Sequence, residues 1–262
     1  MSIGTTRACP ASVLRDALPD RVYWELQVLY YRIRAVWYAG NRYLCPCCGG
    51  QFRKMMTAGT WPRRNARCPR CGAYERHRAL WLHLQNETTF FKDELSVLDI
   101  APVRFFQRYC ERNPAIRYVS MDIDCPFAMV QADITRLPFA DEQFDCIICC
   151  SVLQYVPDDH AAMKELARTV SPSGWAWIHC PIRKDNPRTD EDPTTLSAEQ
   201  QAARFGQEGH VRTYGDDFQD RLTASGLQPT LSVYPAQADA GTIEKHCLKA
   251  GEVAYICRKA TR

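Results

Sequence analysis

Three short apolar runs, each meeting an acidic residue at its end, constrain this chain more than any other feature. They lie within residues 96–156: SVLDIAPVRFF reaches Asp99, RYVSMDID reaches Asp122, and VQADITRLPFADEQFDCIICCSVLQYV opens with Asp133. A fourth run, residues 144–152, is almost free of charge. Apolar runs between polar turns are those of strands buried on both faces of a parallel sheet. Ligands of such sheets sit beyond the carboxyl ends of the strands, at the switch point of strand order, and the three acids fall there. Asp122 follows Asp99 by 23 positions, near the offset of roughly 20 residues at which a carboxylate meets ribose hydroxyls in dinucleotide folds.

The strongest local motif is a pair of C-x-x-C knuckles, Cys45 to Cys48 and Cys68 to Cys71, with 19 residues between them. That separation lies in the range of structural zinc sites. Glycines follow each pair, at Gly49 and Gly72, and two such turns can present four thiolates tetrahedrally to one Zn²⁺. A closed set of four sulfurs leaves no open position, so the site reads as structural. Cys47 could replace a ligand, although Cys48 gives the regular spacing; unliganded buried cysteines are the alternative.

The N-terminus lacks the apolar core of a signal peptide, and no apolar run reaches membrane-span length. A cytoplasmic setting follows as the expectation. The 14 cysteines then argue against a disulfide scaffold, and Cys146, Cys149 and Cys150 read as small hydrophobes in a strand. At 262 residues the chain can hold one sizeable core plus a small module.

Charge is uneven. Residues 42–78 carry nine Lys and Arg against Glu75 alone, a net +8 in a chain of net +3, so the remainder is −5. With Phe52, Trp61 and Tyr74 interleaved, the basic stretch suits nucleic acid, an anionic small substrate, or docking on the acidic remainder. Upstream, residues 1–19 read as irregular. Asp20 reads as an N-cap and Gly40 as a stop, bracketing a helix with Val22, Leu26, Leu29, Ile33 and Val36 at helical spacing. Arg21, Glu25, Arg32 and Arg34 lie off that stripe, while Tyr23, Trp24, Tyr30, Tyr31, Trp37 and Tyr38 widen it. The plain expectation is a helix packed on the main domain; a substrate lid or a membrane-surface helix are the sharper ones.

LPFADEQFD followed by SVLQYVPDDHAAMKELARTVSPSGWAWIHCP resembles the class I S-adenosylmethionine-dependent methyltransferases over residues 95–181. With CPCCGGQFR, ARCPRCGAYERHRALWLHL, VLDIAP and FGQEGHVRTYGDDFQDRL, residues 42–226 resemble a bacterial family of zinc-binding methyltransferases. The resemblance implies a seven-strand Rossmann-like sheet with an N-terminal helix and a zinc-ribbon-like module. It implies S-adenosylmethionine and Zn as cofactors. The cofactor residues would be Asp99, Ala101, Pro102, Asp122, Ile123, Asp133, Ile134, Cys150 and Ser151, with Asp122 on the ribose, Asp133 on the adenine amine and residues 99–103 on the methionine portion. Many relatives of this class carry glycines at alternate positions after the first acid; here Ala101, Val103 and Phe105 stand there.

Domains are expected at 1–41, a helical cover; 42–80, the zinc module with Cys45, Cys48, Cys68 and Cys71; and 81–262, the methyltransferase domain. Beyond a fifth strand at 175–180, the long polar segment would contact substrate. His210, Arg212 and Tyr214 alternate there, which in extended chain puts them on one side. They are the candidate catalytic residues, His210 as base, with His179 as its rival. A helix at 216–225 closed by Gly226 and strands at 231–234 and 252–257 complete the chain. The function read is O-methylation of a small molecule or glycan. The alternatives are an RNA methyltransferase guided by the basic module and a non-catalytic nucleic-acid-binding protein.

Overall fold

The computed structural model describes residues 19–59, 61–192 and 196–260, without the side chains of residues 20, 21 and 23–25. The expectations for residues 1–18 and for the side chains of Arg21, Tyr23, Trp24 and Glu25 therefore lie outside the described residues. The chain opens with α1 (Asp20–Ala35) and a 3-10 turn (Val36–Tyr38), then β1 (Ala39–Leu44), β2 (Gln51–Phe52), β3 (Met56–Ala58) and β4 (Arg63–Arg67). Next come α2 (Glu75–Asn86), β5 (Leu95–Ile100), α3 (Arg104–Arg112), β6 (Ile116–Asp122), β7 (Val130–Gln131) and β8 (Phe144–Cys150). A 3-10 turn (Leu153–Tyr155), α4 (Asp159–Thr169), β9 (Val170–His179), β10 (Asp190–Glu191), α5 (Ala198–Phe205) and β11 (Arg212–Thr213) follow. The chain closes with α6 (Phe218–Ala224), β12 (Leu227–Leu231), α7 (Ala240–His246) and β13 (Tyr255–Lys259).

Seven strands form one sheet in the order β12-β13-β9-β8-β5-β6-β7. Within it β13 alone runs against its neighbours, and β9, β8, β5, β6 and β7 pair in parallel. The parallel strands are those that the acidic runs implied, and the count of seven is the one that the resemblance implied. Each strand alternates between two apolar layers, as the period of two requires. Leu98, Ile147 and Ile178 face the layer shared with Met163 and Leu166 of α4. Val97, Cys146 and Trp177 face the layer shared with Leu80 of α2 and Phe106 of α3. Burial on both faces explains why these runs read as continuously apolar.

Several boundaries differ from the expectation. Pro19 rather than Asp20 is the N-cap of α1, with no side-chain cap bond, and Gly40 lies within β1. The strand expected at 231–234 is β12, four residues earlier, and the last strand begins at Tyr255 rather than Glu252. Gly226 does close α6, at φ 88°.

The helical stripe on α1 is a larger correction. Val22, Leu26, Leu29, Ile33 and Val36 are 45–73% exposed rather than packed on the main domain. The opposite side of α1 faces the chain: Tyr31 lies under the Arg67 guanidinium, 5.0 Å from its ring centroid.

Between α1 and α2, β1–β2 and β3–β4 form two antiparallel hairpins. Arg78 of α2 joins this region to the chain's end. It is fully buried, and its guanidinium donates to the carbonyls of Ala66 and Ala73 at 3.1 and 2.8 Å and of His246 and Cys247 at 2.7 and 2.6 Å. Arg42 pairs with Glu244 at 3.3 Å. Docking of the basic stretch thus uses carbonyls and one surface ion pair.

Candidate active site

Strand register brings the chemistry together. Asp99 lies beside Ile148, Ile148 beside Trp177, and Cys150 beside His179. Counting two residues on from the buried Val97, Ile148 and Trp177 keeps the same face and reaches Asp99, Cys150 and His179 at the carboxyl ends. These three line a cavity of about 680 Å³, with Ala101 and Ser151 at its edge and His77 of α2 opposite. The 3-10 turn adds Gln154 and Tyr155, and the segment after α5 adds His210.

Two turns of the cavity use left-handed backbone without glycine: Ala101 at φ 56° and Ser151 at φ 61°. A side chain in that region costs about 1–2 kcal/mol. Ala101 therefore adopts the conformation that glycine would take, and its amide donates to the Met121 carbonyl at 2.9 Å.

Electrostatics differ sharply between neighbours. Burial pushes the Asp99 carboxyl up to about 7, against a hydrogen bond from Tyr118 Oη at 2.6 Å. His179 is 2% exposed; burial opposes its charge, but Glu252 and Cys150 prevail and raise it to about 9. Burial likewise opposes the Glu252 charge, and the imidazolium holds it down to about 2. Their Nε2–Oε1 separation of 3.4 Å is an ion-pair distance without hydrogen-bond alignment. Ser151 Oγ lies 3.1 Å from Nδ1 of the same ring.

The other two histidines that line the cavity are held toward the neutral form. Burial and the nearby Arg76 lower His77 well below its usual range, and its Nδ1 accepts from the Tyr74 amide at 3.2 Å, so its proton sits on Nε2. Burial lowers His210 too. Its Nδ1 lies 3.3 Å from the Phe205 carbonyl; a carbonyl only accepts, so Nδ1 carries the proton and Nε2 is bare.

Of the expected cofactor residues, Asp99, Ala101, Cys150 and Ser151 line the cavity. Pro102 is buried and lines the neighbouring groove instead. Asp122 ends β6, and its Oδ1 accepts the amides of Asp124 and Cys125 at 2.8 and 2.9 Å. Ile123 is 59% exposed and Ile134 is 5% exposed, while exposed Asp133 accepts the Thr135 amide at 2.8 Å.

The alternating trio is divided. His210 faces the cavity, but Arg212 and Tyr214 do not line it, which corrects the expectation of one shared side. Arg212 is 1% exposed and donates to the carbonyls of Leu153, Val156 and Pro157. Tyr214 is fully buried, its Oη 2.7 Å from Asp159 Oδ2, and Arg221 holds the other Asp159 oxygen at 2.7 Å. β11 is only two residues long, so the alternation extends beyond any strand. The arginine is drawn instead to carbonyls of the turn that presents Gln154 and Tyr155 and to the Glu191 carboxylate at 3.1 Å. Glu252 and His77 were missed: Glu252 fell inside an expected strand, whereas the ERHR run beside the second knuckle was a usable signal.

At the candidate metal site, Cys45, Cys48, Cys68 and Cys71 have their sulfurs within 4.8 Å of one another. Cys45–Cys71 and Cys48–Cys68 measure 3.7 and 3.8 Å. Zn–S bonds of about 2.3 Å put tetrahedral ligands roughly 3.8 Å apart, so the cradle fits the ion. In each knuckle the glycine amide returns to the first cysteine carbonyl, Gly49 to Cys45 at 2.9 Å and Gly72 to Cys68 at 3.1 Å. Both glycines have positive φ, 66° and 77°. Cys47 is outside the cluster, its Sγ 3.7 Å from the His77 carbonyl.

Residues 98–178 match the profile of the methyltransferase domain family. Over these residues the chain carries a methyltransferase domain. Demethylmenaquinone methyltransferase of Mycolicibacterium paratuberculosis is 47% identical over 45 residues, 17% of this chain, and the chain spans 20% of that relative's length. Among solved structures, YcgJ of Bacillus subtilis is similar at 17% identity and TM-score 0.47, covering 71% of this chain and 100% of that one. The 1,6-didemethyltoxoflavin-N1-methyltransferase of Burkholderia thailandensis, solved with 1,6-didemethyltoxoflavin and S-adenosylhomocysteine, is similar at 14% identity and TM-score 0.47, covering 71% and 78%.

Proposed function

We propose that this methyltransferase domain transfers a methyl group from S-adenosylmethionine to an oxygen of a small molecule or glycan, with zinc as a structural ion in the module. The observation that carries the reading is the cavity at the carboxyl ends of β5, β8 and β9. It is floored by Asp99 and, at about 680 Å³, has the size of a small-molecule cleft. Asp122 is the residue for the ribose hydroxyls, Asp133 for the adenine amine and residues 99–103 for the methionine portion. The left-handed Ala101 supports a working loop despite the missing glycines. When bound, the cofactor supplies an activated methyl on a good leaving group, so the chain's task is orientation.

His210 is the base for a hydroxyl acceptor, because its bare Nε2 belongs to a neutral ring facing the cavity. His179, protonated beside Glu252 at neutral pH, cannot take a proton and serves as a fixed cation. Arg212 is a positioning residue for the turn carrying Gln154 and Tyr155. No described helix is long and apolar enough to cross a membrane, and a reducing cytoplasm suits a thiolate cluster.

Calorimetry with S-adenosylhomocysteine tests the reading; absence of binding by the zinc-loaded chain would point to a non-catalytic binding protein. His210→Ala should lower turnover by on the order of 10²-fold with cofactor affinity unchanged, as loss of a general base does. Unchanged turnover would leave catalysis to positioning alone.

A further inference from the structure

A second groove of about 780 Å³ lies between α1, the cysteine knuckles and α3. Arginines enter it from three separate elements: Arg32 from α1, Arg67 and Arg70 from the module, and Arg104, Arg108 and Arg112 from α3. Among the described residues that line it, none is Asp or Glu. Four thiolates and one Zn²⁺ carry a net charge of about −2, which six guanidinium groups outweigh. Arginine forks match phosphate oxygens in geometry as well as charge.

Aromatic rings line the same groove, among them Tyr109 and Phe127, and rings of this kind stack with bases. Tyr74, His77, Val103 and Phe105 line both this groove and the cavity at the strand ends. The two spaces therefore share one wall. The groove's volume is that of a small-molecule cleft rather than a track for a long strand.

We infer that the groove binds a nucleoside diphosphate, and that the acceptor group attached to its phosphates reaches past the Tyr74–Phe105 wall into the methyl-transfer cavity. This rests on the methyltransferase reading above and names its substrate class: a nucleotide-linked glycan or similar small molecule. The arginines take the diphosphate and the rings take the base.

The test is calorimetry of the zinc-loaded chain with uridine diphosphate, adenosine diphosphate and a 12-nucleotide single-stranded RNA, with S-adenosylhomocysteine measured on the same samples. Arg70→Glu and Arg112→Glu are the variants; both side chains are exposed and come from different elements, and zinc content reports that each still folds. At least one of the two diphosphates should bind, and each variant should weaken it about tenfold, the loss expected when a charged hydrogen bond of roughly 1.4 kcal/mol disappears. RNA binding without diphosphate binding, or diphosphate binding that neither variant alters, would overturn the inference. So would cofactor binding with no diphosphate binding, which leaves the methyltransferase reading intact. Diphosphate binding without cofactor binding would do the reverse.

Discussion

The cysteine module and the seven-strand sheet are held together by different physics. The sheet is sandwiched between two apolar layers, each fed by every second residue of its strands. The module's own core is small: Tyr43, Phe52 and Met55 beside Cys45, Cys68 and Ala73. Two short hairpins cannot bury enough apolar surface to offset their ordering entropy. The module instead gathers four cysteine sulfurs that fit a metal ion and is tied by Arg78, whose donors link its carbonyls to those of His246 and Cys247. On the proposed reading, a bound zinc would be a folding element of the module, which borders the groove beside His77 of α2.

The largest separation of the two regions should come from the metal. Cys68→Ser, or removal of zinc by a chelator, should release the ion and unfold the module, because metal binding and folding are coupled in small sites. Hydrogen exchange should then show lost protection over residues 42–72 with the strands of the sheet still protected. Global unfolding, or a module that stays protected, would break the comparison.

The junction comes next. Arg78→Ala strands the carbonyls of Ala66, Ala73, His246 and Cys247 in the interior. A cost of about 3 kcal/mol is expected from several unpaired buried groups, read as a lower denaturation midpoint. If the midpoint is unmoved, the module is not anchored through this arginine.

Within the sheet domain, the His179–Glu252 pair gives a pH signature that the module lacks. His179 is raised to about 9, so its stabilisation is full below about 6.5 and is lost as pH rises through 9. Glu252 is depressed to about 2, so its share is full above about 4.5 and is lost as pH falls through 2. Glu252→Gln should therefore cost most between about pH 4.5 and 6.5, on the order of 3 kcal/mol for a shift of this size. A stability difference that is flat with pH would show that the pair does not interact.

The smallest effect is local. Ala101→Gly should relieve the left-handed strain and raise stability by a few tenths of a kcal/mol, once glycine's extra unfolded entropy is subtracted. A thermal shift of the opposite sign would mean that the alanine methyl contributes packing worth more than the strain.

Much of this was legible in the residues alone. Apolar runs flanked by Asp99, Asp122 and Asp133 determine a parallel sheet, because only strands covered on both faces bury such runs. C-x-x-C pairs followed by Gly49 and Gly72 determine the cradle, because each knuckle is a local turn closed by its own backbone bonds. Local patterns failed where partners are distant. The stripe from Val22 to Val36 says that α1 has an apolar side, not which side meets the chain, and tertiary packing turned the other side inward. His210, Arg212 and Tyr214 share a spacing, yet the carbonyls of Leu153 to Pro157 and the carboxylate of Asp159 claim two of them. The His179–Glu252 pair joins residues 73 positions apart. Its charge state is set by burial and by a neighbour that only the antiparallel return of β13 brings alongside β9.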